Sequence, residues 1–401
     1  MSLNDTPRAE RVHIGFFGKR NAGKSSVLNA VCGQKLAVVS DVLGTTTDPV
    51  LKSMELKPLG PVVMVDTPGI DDSGKLGELR VQKALSVLDS VDIAVLVTVA
   101  GSELDSFEKQ LISAFESKNI KYIIAYNKLD LLGQKSFDIK PNEIYISAKS
   151  GQGIFELKEL IAHKLDLNLT KKPLAGDLLP PGGLCVLVTP IDAGAPKGRL
   201  ILPQQMVIRD ILDSGKMALV VQPQALKEAL LKLKNKCDLV ICDSQAFNKV
   251  NSMLPADIPL TSFSILMARY KGFLQTAVKG ASRIKTLKDG DNVLICEGCT
   301  HHRQCDDIGT VKLPRWISDF TQKKLNFEFT SGTGYEQDLK KYSLIIHCGA
   351  CMLNDNQVRA RMQSAVNQGV PFTNYGIVIA LINGILYRSI DMLDIDNKEE
   401  I

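Results

Sequence analysis

The sequence predicts an α/β chain with one larger domain followed by two smaller ones. Three observations predict it. Short apolar runs alternate with stretches of helical composition along the chain. At about 150 residues per domain, 401 residues is more than one core holds. Three prolines and three glycines fall in the eleven residues 173–183, a composition that breaks periodic structure. An apolar fraction of 45% with 23% charged residues excludes a disordered or collagen-like chain. The longest apolar runs, 93–97 and 377–382, are far shorter than the ~20 residues of a bilayer helix, so no membrane partner is expected. The first residues carry no apolar signal core, which leads to the expectation of a cytoplasmic protein. There are 20 basic and 21 acidic residues up to position 170, and 28 and 23 after it. Neither part is strongly basic, and no nucleic-acid partner is expected.

Residues 12–17 read as the first strand. It runs into Gly18-Lys19-Arg20-Asn21-Ala22-Gly23-Lys24-Ser25 and then a helix. Strand, glycine-rich turn and helix in that order are the setting in which G-x-x-x-x-G-K-S wraps phosphates. Gly18 and Gly23 let backbone N–H groups close on phosphate oxygens, and the helix N-terminus adds its dipole. Lys24 is expected on the β- and γ-phosphates and Ser25 on Mg²⁺. A second strand, 62–65, ends in Asp66-Thr67-Pro68-Gly69. Asp66 suits a water-mediated Mg²⁺ contact, and Gly69 lets a backbone N–H face the γ-phosphate. A third, 123–126, ends in Asn127-Lys128-Leu129-Asp130, whose carboxylate can accept both donors of the guanine edge. A fourth, 144–146, ends in Ser147-Ala148-Lys149, a base-contacting loop. These motifs, in order and each behind a strand, resemble a small GTPase domain from Arg11 to about Leu169, binding at the carboxyl ends of parallel strands.

Residues 41–48, Asp-Val-Leu-Gly-Thr-Thr-Thr-Asp, are similar to the Gly-Thr-Thr-x-Asp switch of the Era and tRNA-modification branch of GTPases. The resemblance implies that Thr46 completes the Mg²⁺ shell. Ile70 stands where Ras-like GTPases carry a water-orienting glutamine, and an apolar side chain cannot orient water. In this branch K⁺ supplies part of the missing charge, and Asn21 matches the K⁺-ligand position. Slow, K⁺-stimulated hydrolysis is the expectation.

Beyond the break at 173–183, strands are expected at 184–188, 217–221 and 238–242, with helices at 204–212, 224–236 and 245–253. This is a second, smaller α/β layer without a phosphate loop. Cys185, Cys237 and Cys242 lie in or beside its strands and read as core residues.

Five of the nine cysteines fall between positions 296 and 351. In a cytosolic chain such a concentration points to metal rather than disulfides. A strand at 292–295 ends in Cys296-Glu297-Gly298-Cys299-Thr300-His301-His302, and one at 342–346 ends in His347-Cys348-Gly349-Ala350-Cys351. Helices are expected at 310–322, 356–367 and 375–387. Spacing alone leaves three readings open: a Cys₄ zinc site, an iron–sulfur cluster, and unliganded cysteines. The 48 residues between Cys299 and Cys348 exceed the usual zinc-ribbon loop.

Cys299-x-His301 followed by His347-Cys348-x-x-Cys351, behind a GTPase domain, resembles the iron–iron hydrogenase maturation GTPase (HydF) family along nearly the whole chain. The resemblance implies a P-loop GTPase domain at 1–170, a linker and α/β dimerisation domain at 171–265, and an iron–sulfur cluster-binding domain at 266–401. It implies a 4Fe–4S cluster on Cys299, Cys348 and Cys351, with His301, His347 or an exchangeable group at the fourth position, and Cys296 and Cys305 as bystanders. It also implies a scaffold that carries a diiron precursor, receives material from radical S-adenosylmethionine maturases and delivers it to apo-hydrogenase, as a homodimer through the middle domain. The competing reading is a ribosome- or RNA-associated GTPase with a structural zinc domain.

Overall fold

The structure is a computed structural model that describes residues 6–33, 50–57, 59–68, 84–132, 138–165, 174–191, 198, 200–234, 236–298, 307–332 and 334–396. It divides into two compact units, Met1–Thr170 and Lys171–Ile401.

The first unit holds a sheet of β1 (Val12–Phe17), β2 (Val50–Leu56), β3 (Gly60–Asp66), β4 (Ile93–Val99), β5 (Lys121–Asn127) and β6 (Glu143–Tyr145). Their order is β2-β3-β1-β4-β5-β6. Among the described residues only the β2–β3 pair of this sheet is antiparallel. The central strands are buried along nearly their whole length, as parallel strands covered on both faces must be. The chain leaves β1 between β3 and β4, the point where strand order reverses, and there enters the helix Lys24–Cys32.

The second unit holds two four-stranded parallel sheets. One contains β7 (Leu184–Val188), β8 (Met217–Val221), β9 (Leu239–Cys242) and β10 (Leu260–Ser262), in the order β10-β9-β7-β8. The other contains β11 (Asn292–Glu297), β12 (Asn326–Ser331), β13 (Leu344–His347) and β14 (Phe372–Asn374), in the order β12-β11-β13-β14. One continuous cluster of buried side chains runs through both, from Leu174 to Ile395. The division expected at 265/266 falls inside the helix Phe263–Tyr270. Cys185 and Cys242 are fully buried in β7 and β9, and Cys237 packs against the same core.

The helix expected at 375–387 ends at Ile382, because Gly384 takes a left-handed turn (φ 67°) before the short helix Leu386–Ile390. The one expected at 310–322 opens with a wide turn over Ile308–Lys312 and becomes an α-helix at Leu313–Thr321, with Pro314 in its first turn, where a missing N–H is harmless. Among the described residues no helix is long and apolar enough to cross a membrane.

Candidate functional site

The glycine-rich loop leaves β1 with Gly18 at φ 149° and turns into its helix through Gly23 at φ 86°. A Cβ on Gly18 would stand 2.3 Å from the Val97 carbonyl oxygen, and one on Gly23 would stand 2.3 Å from Asn127 Nδ2. Both positions require glycine for conformation and for space. Asn21 also takes a left-handed conformation (φ 63°) in this loop. Lys24, buried at the first turn, pairs through Nζ with Asp66 Oδ1, and Ser25 Oγ donates to Asp66 Oδ2 at 3.2 Å. Asp66 closes β3, the neighbour of β1, so the sheet register itself brings the carboxylate to the loop. A hydroxyl and a carboxylate this close are the hard oxygen donors that suit Mg²⁺.

Asn127 ties the other two loops to this one. Its Nδ2 donates to Ala22 O at 3.0 Å, and its Oδ1 accepts from Ala148 N at 3.0 Å. Lys128, at φ 67°, turns the chain so that Asp130 meets Ser147, whose Oγ donates to Asp130 Oδ1 at 2.7 Å. Gly18, Asn21, Gly23, Lys24, Ser25, Asp66, Asn127, Lys128, Asp130, Ser147, Ala148 and Lys149 thus follow the carboxyl ends of neighbouring strands in one sheet. Thr46, Gly69 and Ile70 lie outside the described residues.

The second constellation is at the carboxyl ends of β11 and β13, adjacent strands at the point where the order of their sheet reverses. Cys296 pairs in register with His347. Cys348 N donates to Cys296 O at 2.8 Å, which carries the ladder one residue past β13. The chain then turns through Gly349 and Ala350, the latter left-handed at φ 56°. This turn brings two backbone donors onto one sulfur: Gly298 N reaches Cys348 Sγ at 3.1 Å and Ala350 N reaches it at 3.4 Å. Burial pushes the Cys348 thiol up, and these two amides oppose part of that rise. Burial likewise pushes Cys351 up to about 11, while the fully buried ammonium of Lys271 opposes it. Lys271 caps the C-terminus of the helix Phe263–Tyr270; its Nζ donates to Leu353 O at 2.9 Å and pairs with Asp355 at 3.2 Å, bracing the segment after Cys351.

Soft sulfur with amide N–H groups aimed at it is a donor set that fits iron–sulfur ligation. Among the described residues no group of three or more His, Cys, Asp or Glu is gathered as a metal site. Cys299, His301 and Cys305 lie outside the described residues, and Gly298 is the last one described before Cys299.

His347 does not present itself as a ligand in this arrangement. Its ring is fully buried, with Nδ1 3.0 Å from Cys348 O and Nε2 3.0 Å from Arg361 Nη1. Arginine only donates, so Nε2 accepts and the proton sits on Nδ1. Burial, helped by the Arg361 charge, pushes His347 down to about 3. Cys296 is buried inside β11 and pushed up to about 12, as suits a packed thiol. Four groups at this site, Lys271, Glu297, Arg361 and Tyr375, were not singled out from the sequence. Tyr375 donates its hydroxyl to Glu297 Oε1 at 3.4 Å, and both are buried. Glu297 alone carried a signal, an acid between Cys296 and Cys299.

Three family models match the chain. A 50S ribosome-binding GTPase model covers residues 13–128, a hydrogen maturase F dimerization domain covers 174–272, and a hydrogen maturase F tetramerization domain covers 275–392. GTPase Era of Carboxydothermus hydrogenoformans is 31% identical over 157 residues, 36% of this chain and 52% of that one. The tRNA modification GTPase MnmE of Nitrosomonas eutropha is 31% identical over 156 residues, 38% of this chain and 34% of that one. GTPase Der of Wolinella succinogenes is 33% identical over 168 residues, 37% of this chain and 35% of that one. The chain thus spans between about a third and about half the length of these relatives.

Proposed function

The chain belongs to the hydrogen maturase F family, and from that premise we propose that it hydrolyses GTP to GDP and phosphate and serves iron–iron hydrogenase assembly as a scaffold and carrier. The GTPase family model and the loops around Asn127 support the first part. Lys24 serves the β- and γ-phosphates, and the glycine-rich loop cradles them with backbone N–H groups. Asp130, held by Ser147, accepts from the guanine edge, and Ala148 and Lys149 flank the base. Mg²⁺, when bound, neutralises phosphate charge; Ser25 and Thr46 would hold it directly and Asp66 through water. Ile70 offers the attacking water no polar group, so hydrolysis is slow, and K⁺ beside Asn21 speeds it.

Residues 266–401 form the cluster-binding part, with Cys299, Cys348 and Cys351 as ligands. The observation that carries this reading is the pair of amides, Gly298 and Ala350, donating to the Cys348 sulfur. The 4Fe–4S cluster, when bound, supplies an exchangeable iron position to which a diiron precursor can attach. The fourth position belongs to His301 or to an exchangeable group, and His347 orients the Cys348 segment through its carbonyl. Residues 171–265 make a homodimer. The partners are radical S-adenosylmethionine maturases, which load the scaffold, and apo-hydrogenase, which receives the product, in the cytoplasm. GTP acts by changing affinity for these partners through the switch segments.

Anaerobic reconstitution with iron and sulfide tests the proposal. The expected product is brown, with iron–sulfur absorption that Cys348→Ala abolishes. Colourless protein holding stoichiometric zinc would overturn the reading.

A further inference from the structure

Arg361 lies on the helix Asp355–Asn367 and is only 6% exposed. Its contacts among the described residues are to uncharged groups. Nη1 donates to His347 Nε2 at 3.0 Å and Nη2 to Gly332 O at 2.6 Å, the guanidinium lies 5.2 Å from the centre of the Tyr335 ring, and Tyr335 donates its hydroxyl to the Arg361 carbonyl at 3.1 Å. Among the described residues no carboxylate pairs with it. The nearby Lys271, by contrast, has Asp355. Burying a cation without a counter-anion is unfavourable, and an anion brought beside it offsets that desolvation. Its charge lowers the Cys296 and Cys348 thiols against the rise that burial imposes, as it also acts on His347 and Tyr335. His347 spans from the guanidinium on one ring nitrogen to the Cys348 carbonyl on the other.

Thiolates bound to an iron–sulfur core outnumber its positive charge, so the assembly as a whole is an anion. We propose that Arg361 is the positioning cation of the cysteine site, supplying the fixed positive charge that a thiolate-bound, net-anionic iron–sulfur group meets there and so setting its reduction potential. The proposal rests on the reading that Cys348 ligates iron. A fixed positive charge favours the reduced, more negative state of the group, and removing it lowers the potential. The contact to His347 gives the charge its place, because Nε2 accepts only from a donor on that side.

The test reads midpoint potentials by spectroscopically monitored titration of full-length protein after anaerobic reconstitution with iron and sulfide. Arg361→Gln should shift the oxidised–reduced equilibrium about tenfold toward oxidised, a potential about 59 mV lower for one electron. Arg361→Lys, which keeps the charge and loses the fork, should stay within a factor of three of wild type. His347→Gln, which keeps the guanidinium, should shift it less than Arg361→Gln does. An unchanged potential in Arg361→Gln overturns the proposal, as does an Arg361→Lys shift equal to that of Arg361→Gln, which would mean packing rather than charge. If Arg361→Gln retains no cluster, Arg361→Lys decides. A loaded protein near the wild-type potential supports the proposal, and one that is also empty overturns it. Wild-type protein that itself stays colourless is a failure of the iron reading, separable from these outcomes.

Discussion

In the proposed guanine site, Asp130 owes the orientation of its carboxylate to a neighbour. The side chain sits three residues past Asn127, and the Ser147 hydroxyl on one oxygen fixes the way the carboxylate faces. A carboxylate is acceptor-only, which matches the two adjacent donors of guanine; an amide at the same place offers a donor of its own. Asp130→Asn should therefore weaken GTP about a hundredfold, at about 1–3 kcal/mol for each buried polar group left unmatched, and should strengthen xanthosine triphosphate. Competition of the two nucleotides against a fluorescent guanine nucleotide measures this, and equal GTP affinity in wild type and variant would place Asp130 away from the base. The position of Asp130 just past β5 is legible because its motif is contiguous, so the spacing to Asn127 is covalent. Arg361 is not. It follows His347 by 14 residues and Gly332 by 29, and it lies on a helix whose sequence carries several other polar residues. Nothing local distinguishes a buried arginine from a solvated one; only the folded contacts do.

Strand ends set both sites, and strand ends are where the sequence was least readable. β11 was expected to stop at Ile295, since Cys296 and Glu297 look like the start of a loop. It continues because Cys296 and Glu297 pair with Thr330 and Ser331 of β12, a largely exposed strand whose residues show no buried face to read in the sequence. β10 and β14 are too short to show a period of two. Yet β14 is what closes the sheet beside His347, through the pair His347 and Asn374. Helix Leu274–Ala281 lies directly on β14: a Cβ on Gly280 would stand 2.1 Å from the Phe372 carbonyl oxygen. Backbone cannot swing aside as a side chain can. Gly280→Ala should therefore cost about 1–3 kcal/mol by overpacking and lower the melting temperature by several degrees. It should also reduce the iron held after reconstitution, because the edge bracing His347 shifts. A melting curve identical to wild type would show that the helix has room to move.

At the scale of the second unit, the segment after the first domain turns out to be part of the core rather than a free connector. Prolines and glycines at 173–183 break α-helix and strand, leaving a single 3-10 turn at Gly176–Leu178, but they do not rule out burial: Leu174 and Leu179 are 2% and 4% exposed. The backbone that cannot pair in a ladder is satisfied by side chains instead. Ala175 N and Gly176 N both donate to Asp210 Oδ2, at 2.9 and 2.7 Å, and Lys216 Nζ donates to the Gly176 and Leu179 carbonyls. Arg269 then grips Asp177 with both nitrogens, at 2.8 and 2.5 Å, and so ties the segment to the helix that leads into Lys271. The Arg269 fork holds the Asp177 carboxyl below its usual value of 3.8. A carboxylate with a lowered folded value binds fewer protons in the native state than in the unfolded one. Its contribution is therefore present above about pH 4 and fades as the pH falls through the lowered value. Asp177 is 44% exposed, so solvent screening limits the contribution to less than about 1 kcal/mol. Asp177→Asn should consequently lower the urea midpoint slightly at pH 7 and pH 5, and the gap from wild type should be narrower at pH 3, below the unfolded value. Urea unfolding of both proteins at these three values measures it. A gap that stays constant from pH 7 to pH 3 would mean that the fork holds the segment by shape alone, with no part played by the charge.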